Sequence, residues 1–252
     1  MNNSEKSIYD AFKDFFEVVP ANTDALKKEV YKLRFQVYCL ETGFELADQF
    51  PEGVEFDNFD EQSSHYLIRH RKSGEFAATT RLILPNSNNI NELFPLEKYC
   101  PIDKLELIQS IDRRYLAEVS RFCVSKEFKK RKNEARTLNA IGPDWDKEEF
   151  GKDERRTFPH IALALFACLI RASHENNIHY WCASMETAFL RFIGAIGVHA
   201  VKIGPVSDYH GERWPCIIKV SDLLNDVADK NMDVWNMFTD NGRYQIKDIE
   251  SK

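Results

Sequence analysis

The stretch Leu116-Ala117-Glu118-Val119-Ser120-Arg121-Phe122-Cys123-Val124 predicts a buried β-strand, because its apolar and β-branched residues are strand formers. Glu118 and Arg121 nevertheless stand in the middle of it. Burying either charge without a partner is costly, so both side chains must be paired, hydrogen-bonded or directed into a cleft. A carboxylate in such a place is a candidate general base, since burial raises its pKa toward neutrality.

The spacing of these two charges makes a geometric prediction. Glu118 and Arg121 are three residues apart, so a regular strand would point them to opposite faces of the sheet. A β-bulge between them would bring both to one side. Without a bulge, the two side chains do different jobs.

Composition favours an ordinary globular protein. The chain has 252 residues, of which 43% are hydrophobic, so it can bury a substantial core. A formal net charge of -6 argues against general nucleic-acid binding, which requires a basic surface. The six cysteines are widely spread without a C-x-x-C pair, and the N-terminus lacks an apolar signal region. These features predict reduced thiols and a cytoplasmic location.

The periodicity of apolar residues predicts one α/β (α+β) domain with a mixed sheet. The predicted helices span residues 8–16, 25–40 with Asp24 as N-cap, 91–94, 159–175, 186–196 and 221–238. The predicted strands span residues 65–70, 75–84, 115–125, 178–184, 198–202 and 214–220. Residues 126–151 are the least regular part and predict an excursion from the core.

Short charged motifs recur along the chain in a fixed order. They are Leu33-Arg34-Phe35-Gln36-Val37-Tyr38 with Gly43-Phe44-Glu45 after it, Glu55-x-Asp57-x-x-Asp60, Thr80-Arg81-Leu82, and Glu118-x-Ser120-Arg121-Phe122. With its motifs in this order, the chain resembles the LuxI-type acyl-homoserine-lactone synthases. It also resembles the long-chain N-acyl amino acid synthases and the acyltransferases of PEP-CTERM/exosortase systems. All three groups belong to the GNAT N-acyltransferase superfamily.

The resemblance implies a GNAT-like three-layer fold, with a mixed central β-sheet and helices on both faces. It implies a single acyltransferase domain over residues 1–252, with a mobile N-terminal lid at about 1–60 and an irregular insertion at about 126–158. The GNAT fold carries a bulge in its central strand, so the resemblance also implies one here.

The chain departs from the family pattern at two places. LuxI-type synthases usually carry Trp where Phe44 stands, which argues against S-adenosylmethionine as the acceptor. The glycine-rich pyrophosphate loop of GNAT enzymes is replaced by residues 126–132, which argues against simple acetyl-CoA chemistry. A carrier-protein thioester presents phosphopantetheine, which has only one phosphate and no pyrophosphate for such a loop to bind.

The resemblance and the charges together assign candidate roles. The catalytic candidates are Glu118, Arg121 and Ser120, and Glu118 is the general base. Substrate-binding candidates are Arg34, Tyr38, Phe44, Glu55, Asp57, Asp60, Arg81, Phe122 and Trp181. The acidic cluster is expected to pair with the arginines and to order the lid. The alternatives are an internal pair between Glu118 and Arg121, and a contact of Arg81 with the acceptor's carboxylate.

The function predicted is transfer of a fatty acyl group from an acyl thioester to the amine of a small acceptor such as an amino acid. Acyl carrier protein (ACP) is the expected donor partner, with acyl-CoA as the alternative, and neither a metal nor a resident cofactor is expected. The basic run Lys129-Lys130-Arg131-Lys132 predicts the docking patch for acidic ACP. The alternatives left open are an acyl-homoserine-lactone synthase using S-adenosylmethionine, a non-catalytic acyl-thioester-binding module, and a short-chain acetyltransferase.

Overall fold

The computed structural model describes residues 6–128, 160–208 and 211–248. Its strands are β1 (Phe16–Pro20), β2 (Ser63–His70), β3 (Phe76–Ile83), β4 (Leu116–Val124), β5 (Tyr180–Met185), β6 (Val201–Lys202), β7 (Ser207–Asp208) and β8 (Glu212–Lys219). Its α-helices are α1 (Ile8–Phe15), α2 (Asp24–Arg34), α3 (Pro95–Tyr99), α4 (Leu105–Gln109), α5 (His160–Glu175), α6 (Thr187–Ala195), α7 (Val220–Lys230) and α8 (Met232–Thr239).

One mixed sheet runs through the molecule in the strand order β1-β2-β3-β4-β5-β8-β6, with β7 paired to β8. The pair β4 and β5 is parallel, whereas the other pairs in the described residues are antiparallel. This confirms the predicted mixed α/β architecture.

The core lies on both faces of this sheet, and alternation along β2 shows it directly. Tyr66 and Ile68 point into the larger core, which is filled mainly by α5 and α8. Leu67 points to the opposite face, against α2. Because successive side chains of a strand point to opposite faces, helices cover the sheet on both sides. The site described below opens on the α2 and α3 side.

Helix α2 starts and ends differently from the sequence prediction. Its N-cap is Thr23, whose Oγ1 accepts from the backbone N–H of Leu26 at 3.3 Å, and not Asp24. The α-helix ends at Arg34, and the chain continues as a π-helix over Phe35–Glu41. The apolar periodicity predicted the whole stretch to residue 40, but periodicity does not distinguish α from π winding.

Tertiary contacts override local pattern in several other places. β1 was missed, because its residues extend the helical pattern of α1 until they pair with β2. The short helix predicted at 91–94 is wrong; α3 begins at Pro95, whose fixed φ suits a first helical residue. The closing helix divides into α7 and α8 because Asn231 is extended and caps α8 with its side chain. α4 was not predicted, and most of the predicted excursion lies outside the described residues.

Candidate active site

The parallel pair β4 and β5 separates in the middle of the sheet. Its register pairs Leu116 with Tyr180 and ends with Glu118 opposite Cys182. Both strands continue beyond this point, to Val124 and Met185 respectively. The sheet therefore opens into a cleft, and Glu118 stands at its apex.

A β-bulge at Arg121 sets the orientation of the charges on β4. Arg81 pairs with Ser120 and Thr79 with Cys123, so two residues of β4 stand opposite one residue of β3. Arg121 has a φ of 51°, in the left-handed region that side chains other than glycine rarely adopt.

The bulge reverses the alternation of β4. Before it, the odd-numbered Ala117 faces the α5 core; after it, the even-numbered Phe122 and Val124 do. Arg121 consequently turns toward the α2 side, where its guanidinium carbon lies 5.2 Å from the centre of the Tyr38 ring. The predicted bulge is confirmed, and Glu118 and Arg121 line one cavity.

A cavity of about 300 Å³ occupies the cleft. One wall is apolar and is built from β4, β5, β8, α5 and α6: Val119, Phe122, Phe166, Leu169, Trp181, Ala183, Met185, Phe189 and Ile218. The other wall is polar and carries Tyr38, Glu45, Asp57, Asn58, Arg81, Ser120, Arg121, Glu186 and Arg213. Glu118 lies between a surface suited to a hydrocarbon chain and a surface suited to a charged group.

Glu118 is only 3% exposed. Its Oε2 accepts a hydrogen bond from the backbone N–H of Leu96, in the first turn of α3, at 2.8 Å. Burial raises the pKa of the Glu118 carboxyl to about 8, against the opposing effects of the Leu96 hydrogen bond and of Arg81. A carboxyl with such a pKa exchanges a proton near physiological pH, as a general base must.

An ion-pair network lies beside Glu118 and joins three arginines to the acidic loop. Arg34, which is fully buried, contacts Glu55 through Nε and Asp60 through Nη1, the latter at 2.6 Å. Arg81 Nη1 donates to Asp57 Oδ1 at 2.6 Å and to Asp60 Oδ1 at 2.7 Å. Residues far apart in sequence are thereby fixed in one cluster.

Arg121 completes this network from the bulge. Its Nη2 donates to Glu55 Oε1 at 2.9 Å and to Glu45 Oε1 at 3.3 Å, and lies 3.6 Å from Asp57 Oδ2. Burial of Glu55 raises its pKa, but Arg34 and Arg121 outweigh burial and hold it down at about 2. Within these ion pairs four carboxylates meet three guanidiniums, so the network carries a net negative charge of one when all its groups are ionised.

Ser120 and Tyr38 connect the network to the cavity. Ser120 Oγ accepts from Arg81 Nε at 2.9 Å, so its hydroxyl fixes the guanidinium that also holds Asp57. Tyr38 belongs to the π-helix, and π-helical turns are frequent at functional sites. Its burial raises its pKa, so the phenol remains protonated at neutral pH.

The structure brings nine of the predicted residues to the cavity: Tyr38, Phe44, Asp57, Arg81, Glu118, Ser120, Arg121, Phe122 and Trp181. Arg34, Glu55 and Asp60 do not line it and instead support it through the network. Among the other aromatic residues near the site, Phe59 lines the cavity, whereas Phe56 is 57% exposed. Phe94 packs against Arg113.

Sequence reasoning missed much of the apolar wall. Phe166, Leu169, Met185 and Phe189 carry no motif, and α5 is buried on nearly all sides, so periodicity gives no signal there. The predicted docking residues Lys129, Lys130, Arg131 and Lys132 lie outside the described residues. Within residues 6–128, 160–208 and 211–248, no group of three or more His, Cys, Asp and Glu side chains is arranged to hold a metal ion.

In the same part of the chain, no helix is long and apolar enough to cross a membrane.

Comparisons with known proteins agree with this geometry. Residues 33–139 match the family model of the acetyltransferase (GNAT) domain. The AHL synthase LasI has a similar structure, with a TM-score of 0.56, 18% identity, and coverage of 85% of this chain and 95% of LasI. TofI, solved in a ternary complex with an inhibitor and MTA, gives a TM-score of 0.57, 17% identity, and coverage of 87% and 99%.

A third structure is that of FeeM, an N-acyl amino acid synthase from uncultured soil microbes, with a TM-score of 0.55, 14% identity, and coverage of 86% and 97%. At these identities the likeness shows a shared fold. A search of curated protein sequences gave no significant match. The sequence match to the GNAT domain over residues 33–139 and the fold shared over most of the chain's length confirm the predicted GNAT-like fold.

Proposed function

We propose that this enzyme transfers a fatty acyl group from an acyl thioester to the amine of a small acceptor such as an amino acid. One observation carries the proposal: a buried carboxyl with a pKa of about 8, Glu118, stands between an apolar wall and a polar wall in a cleft between parting strands. Acyl transfer to an amine needs a base at this junction, because the ammonium must lose a proton before it attacks.

The polar wall is suited to the acceptor. Its carboxylates, Glu45, Asp57 and Glu186, can bind an ammonium group, while Arg81 and Arg121 present guanidinium surface to an acceptor's carboxylate. An ammonium beside Glu118 would itself lower the pKa of that carboxyl, so substrate binding favours the ionised base. The base then accepts a proton from the ammonium, directly or through a water molecule.

The apolar wall is suited to the donor. Phe166, Phe189 and Trp181 form an aromatic cluster, with the ring of Phe166 6.4 Å from that of Trp181 and 6.2 Å from that of Phe189. Past Glu118 and Cys182, the facing edges of β4 and β5 no longer pair with each other. Backbone groups at such edges can hydrogen-bond the amides of a pantetheine arm, which would bring the thioester carbonyl to the apex.

ACP is the donor we propose, since the sequence that would follow β4 as a pyrophosphate loop holds basic residues instead of glycines. The structure of BjaI is described as that of a CoA-dependent acyl-homoserine-lactone synthase, with MTA bound, and its TM-score is 0.51. Acyl-CoA is therefore the alternative donor, and the assay described below compares acyl-ACP with acyl-CoA.

S-adenosylmethionine is the alternative acceptor, because it carries a sulfonium as well as an ammonium and the polar wall presents carboxylates that can bind either cation. It would make the enzyme an acyl-homoserine-lactone synthase. The TofI structure contains MTA, and one structure of BjaI contains SAM and isopentyl-CoA. Phe44 in place of Trp favours the amino acid.

The test combines purified enzyme with acyl-ACP or acyl-CoA of several chain lengths, and with pooled amino acids or S-adenosylmethionine. Thiol release gives the rate, and mass spectrometry identifies the product. Glu118→Gln should abolish turnover, whereas Glu75→Gln, at an exposed turn, should not. Product formation by Glu118→Gln at the wild-type rate would refute Glu118 as the base. Donor binding without turnover in the wild type would favour a non-catalytic binding module.

A further inference from the structure

A further ion pair joins α3, whose Leu96 N–H contacts Glu118, to the turn before β4. Arg113, in the turn just before β4, donates from Nη1 to Glu97 Oε1 at 2.6 Å and from Nη2 to the carbonyl oxygen of Glu92 at 2.6 Å. Its guanidinium carbon also lies 4.7 Å from the centre of the Phe94 ring. None of the charged motifs of the sequence includes these residues.

This pair fixes the first turn of α3. Glu97 Oε2 accepts from the backbone N–H of Phe94 at 2.9 Å, so one carboxylate joins Arg113 to the residue that precedes the helix. Glu97 and Arg113 are mostly buried, with side chains 9% and 18% exposed. Arg113 is thus held by acceptors on two separate residues, the Glu97 carboxylate and the Glu92 carbonyl, and this fixes the start of α3.

The turn held in this way carries the hydrogen bond to Glu118. Leu96 is fully buried, and its N–H meets Glu118 Oε2 at 2.8 Å. Arg113 also lies only three residues before the start of β4, the strand that carries Glu118. Both ends of the Leu96–Glu118 hydrogen bond are therefore tied to Arg113, one through Glu97 and the other through the backbone.

We propose that Arg113 and Glu97 are positioning residues for the carboxyl of Glu118, holding Leu96 N–H against Oε2 so that Oε1 is the oxygen that faces the amine. The inference rests on the proposed function of Glu118 as the base. The charged and titratable groups around Glu118 are Arg81 on β3, Arg121 on β4, Glu97 on α3 and the thiol of Cys182 on β5.

The two residues should act on Glu118 in opposite directions. The Leu96 hydrogen bond lowers the pKa of Glu118, and the charge of Glu97 raises it. Arg113→Gln releases the turn and leaves Glu97 uncompensated, so the Glu118 midpoint should move up by about one pH unit or more. Glu97→Gln keeps the acceptor for Phe94 N–H and removes the charge, so the midpoint should move down.

The experiment is a carbon-13 NMR titration of protein labelled at the glutamate carboxyl carbon, with the Glu118 signal assigned by its loss in Glu118→Gln. Arg114→Gln is the matched control, since Arg114 is exposed and pairs only locally with Asp112. Arg113→Lys should bring the midpoint part of the way back to its wild-type position. The midpoint is read without substrate, so the titration decides this inference even if no acceptor supports turnover.

Kinetics supply the second readout. In Arg113→Gln, kcat/KM at pH 7 should fall about tenfold for every pH unit by which the Glu118 midpoint rises, and it should recover at high pH. A loss of equal size at every pH, with an unchanged Glu118 midpoint, would show that Arg113 serves folding alone and would overturn the proposal. An unchanged midpoint in Glu97→Gln would overturn it too, and this holds even if Arg113→Gln does not fold.

Discussion

Replacing Glu118 with Gln should make the protein more stable than the wild type, by a margin that grows as pH rises, although the change removes the proposed base. The carboxyl is 3% exposed and has a pKa of about 8 in the folded protein, against 4.5 in the unfolded chain. Between these values the unfolded state releases a proton that the folded state retains. The contribution of Glu118 to wild-type stability is therefore fully present below about pH 4.5 and is lost as pH rises toward 8.

The size of this loss follows from the difference between the two pKa values. A difference of one pH unit corresponds to about 1.4 kcal/mol, so the full difference costs the wild type about 5 kcal/mol by pH 8. Gln cannot ionise, and its amide oxygen can still accept from Leu96 N–H. The free energy of unfolding of Glu118→Gln minus that of wild type should therefore grow by about 1.4 kcal/mol per pH unit and level off near pH 8.

Urea unfolding at intervals from pH 5 to 9 measures this difference directly, because groups that titrate alike in both proteins cancel. Glu75→Gln serves as the control and should show a flat difference, as its side chain is exposed. A difference between Glu118→Gln and wild type that stays constant over this range would refute the reasoning. It would mean that the buried carboxyl ionises as readily as an exposed one.

Three further predictions concern the network and the apolar wall. Arg34→Met should lower the free energy of unfolding by about 3–5 kcal/mol, measured by urea unfolding, because it leaves Glu55 and Asp60 buried without this partner. Wild-type stability should fall from pH 4.5 toward 2 as Glu55, whose pKa is held at about 2, becomes protonated. This contribution of about 3 kcal/mol should be absent in Glu55→Gln. If the free energy of unfolding falls equally in both proteins over this pH range, the prediction is wrong. Ala183→Leu should fill part of the cavity and reduce kcat/KM for long-chain donors about tenfold or more relative to short ones, and an unchanged chain-length profile would place the acyl chain elsewhere.

Much of the sheet could be predicted from sequence because β2, β3 and β4 are short apolar stretches with strand-forming residues, and a clear turn joins β2 to β3. The charges and the family resemblance together also predicted that the arginines and the acidic loop form one cluster. Pairs such as Arg34 with Asp60 follow from the cost of burying charge, which leaves few arrangements open.

Other parts of the site depend on tertiary contacts that no local pattern records. Arg121 has a left-handed backbone conformation that a glycine would have signalled in the sequence, but the residue there is an arginine. The end of the β4–β5 pairing at Glu118 likewise has no sequence signal in either strand. Phe166 and Phe189 lie in helices whose apolar residues all look alike as core. Asparagine has only a modest tendency to interrupt helices, yet the Asn231 side chain caps α8 and divides the last predicted helix into α7 and α8.

The bulge on β4 separates what the strand needs for its architecture from what it needs for its chemistry. If Arg121 were deleted, Ser120 would stay opposite Arg81, Phe122 would come opposite Thr80, and Cys123 would stay opposite Thr79, which is an uninterrupted ladder. Every remaining side chain of β4 would keep its present face. A chain one residue shorter is thus geometrically compatible with the sheet but lacks the guanidinium that joins Glu45 and Glu55. An alignment that tolerates a gap at this position would therefore group proteins that keep the network with proteins that share the fold but lack the network.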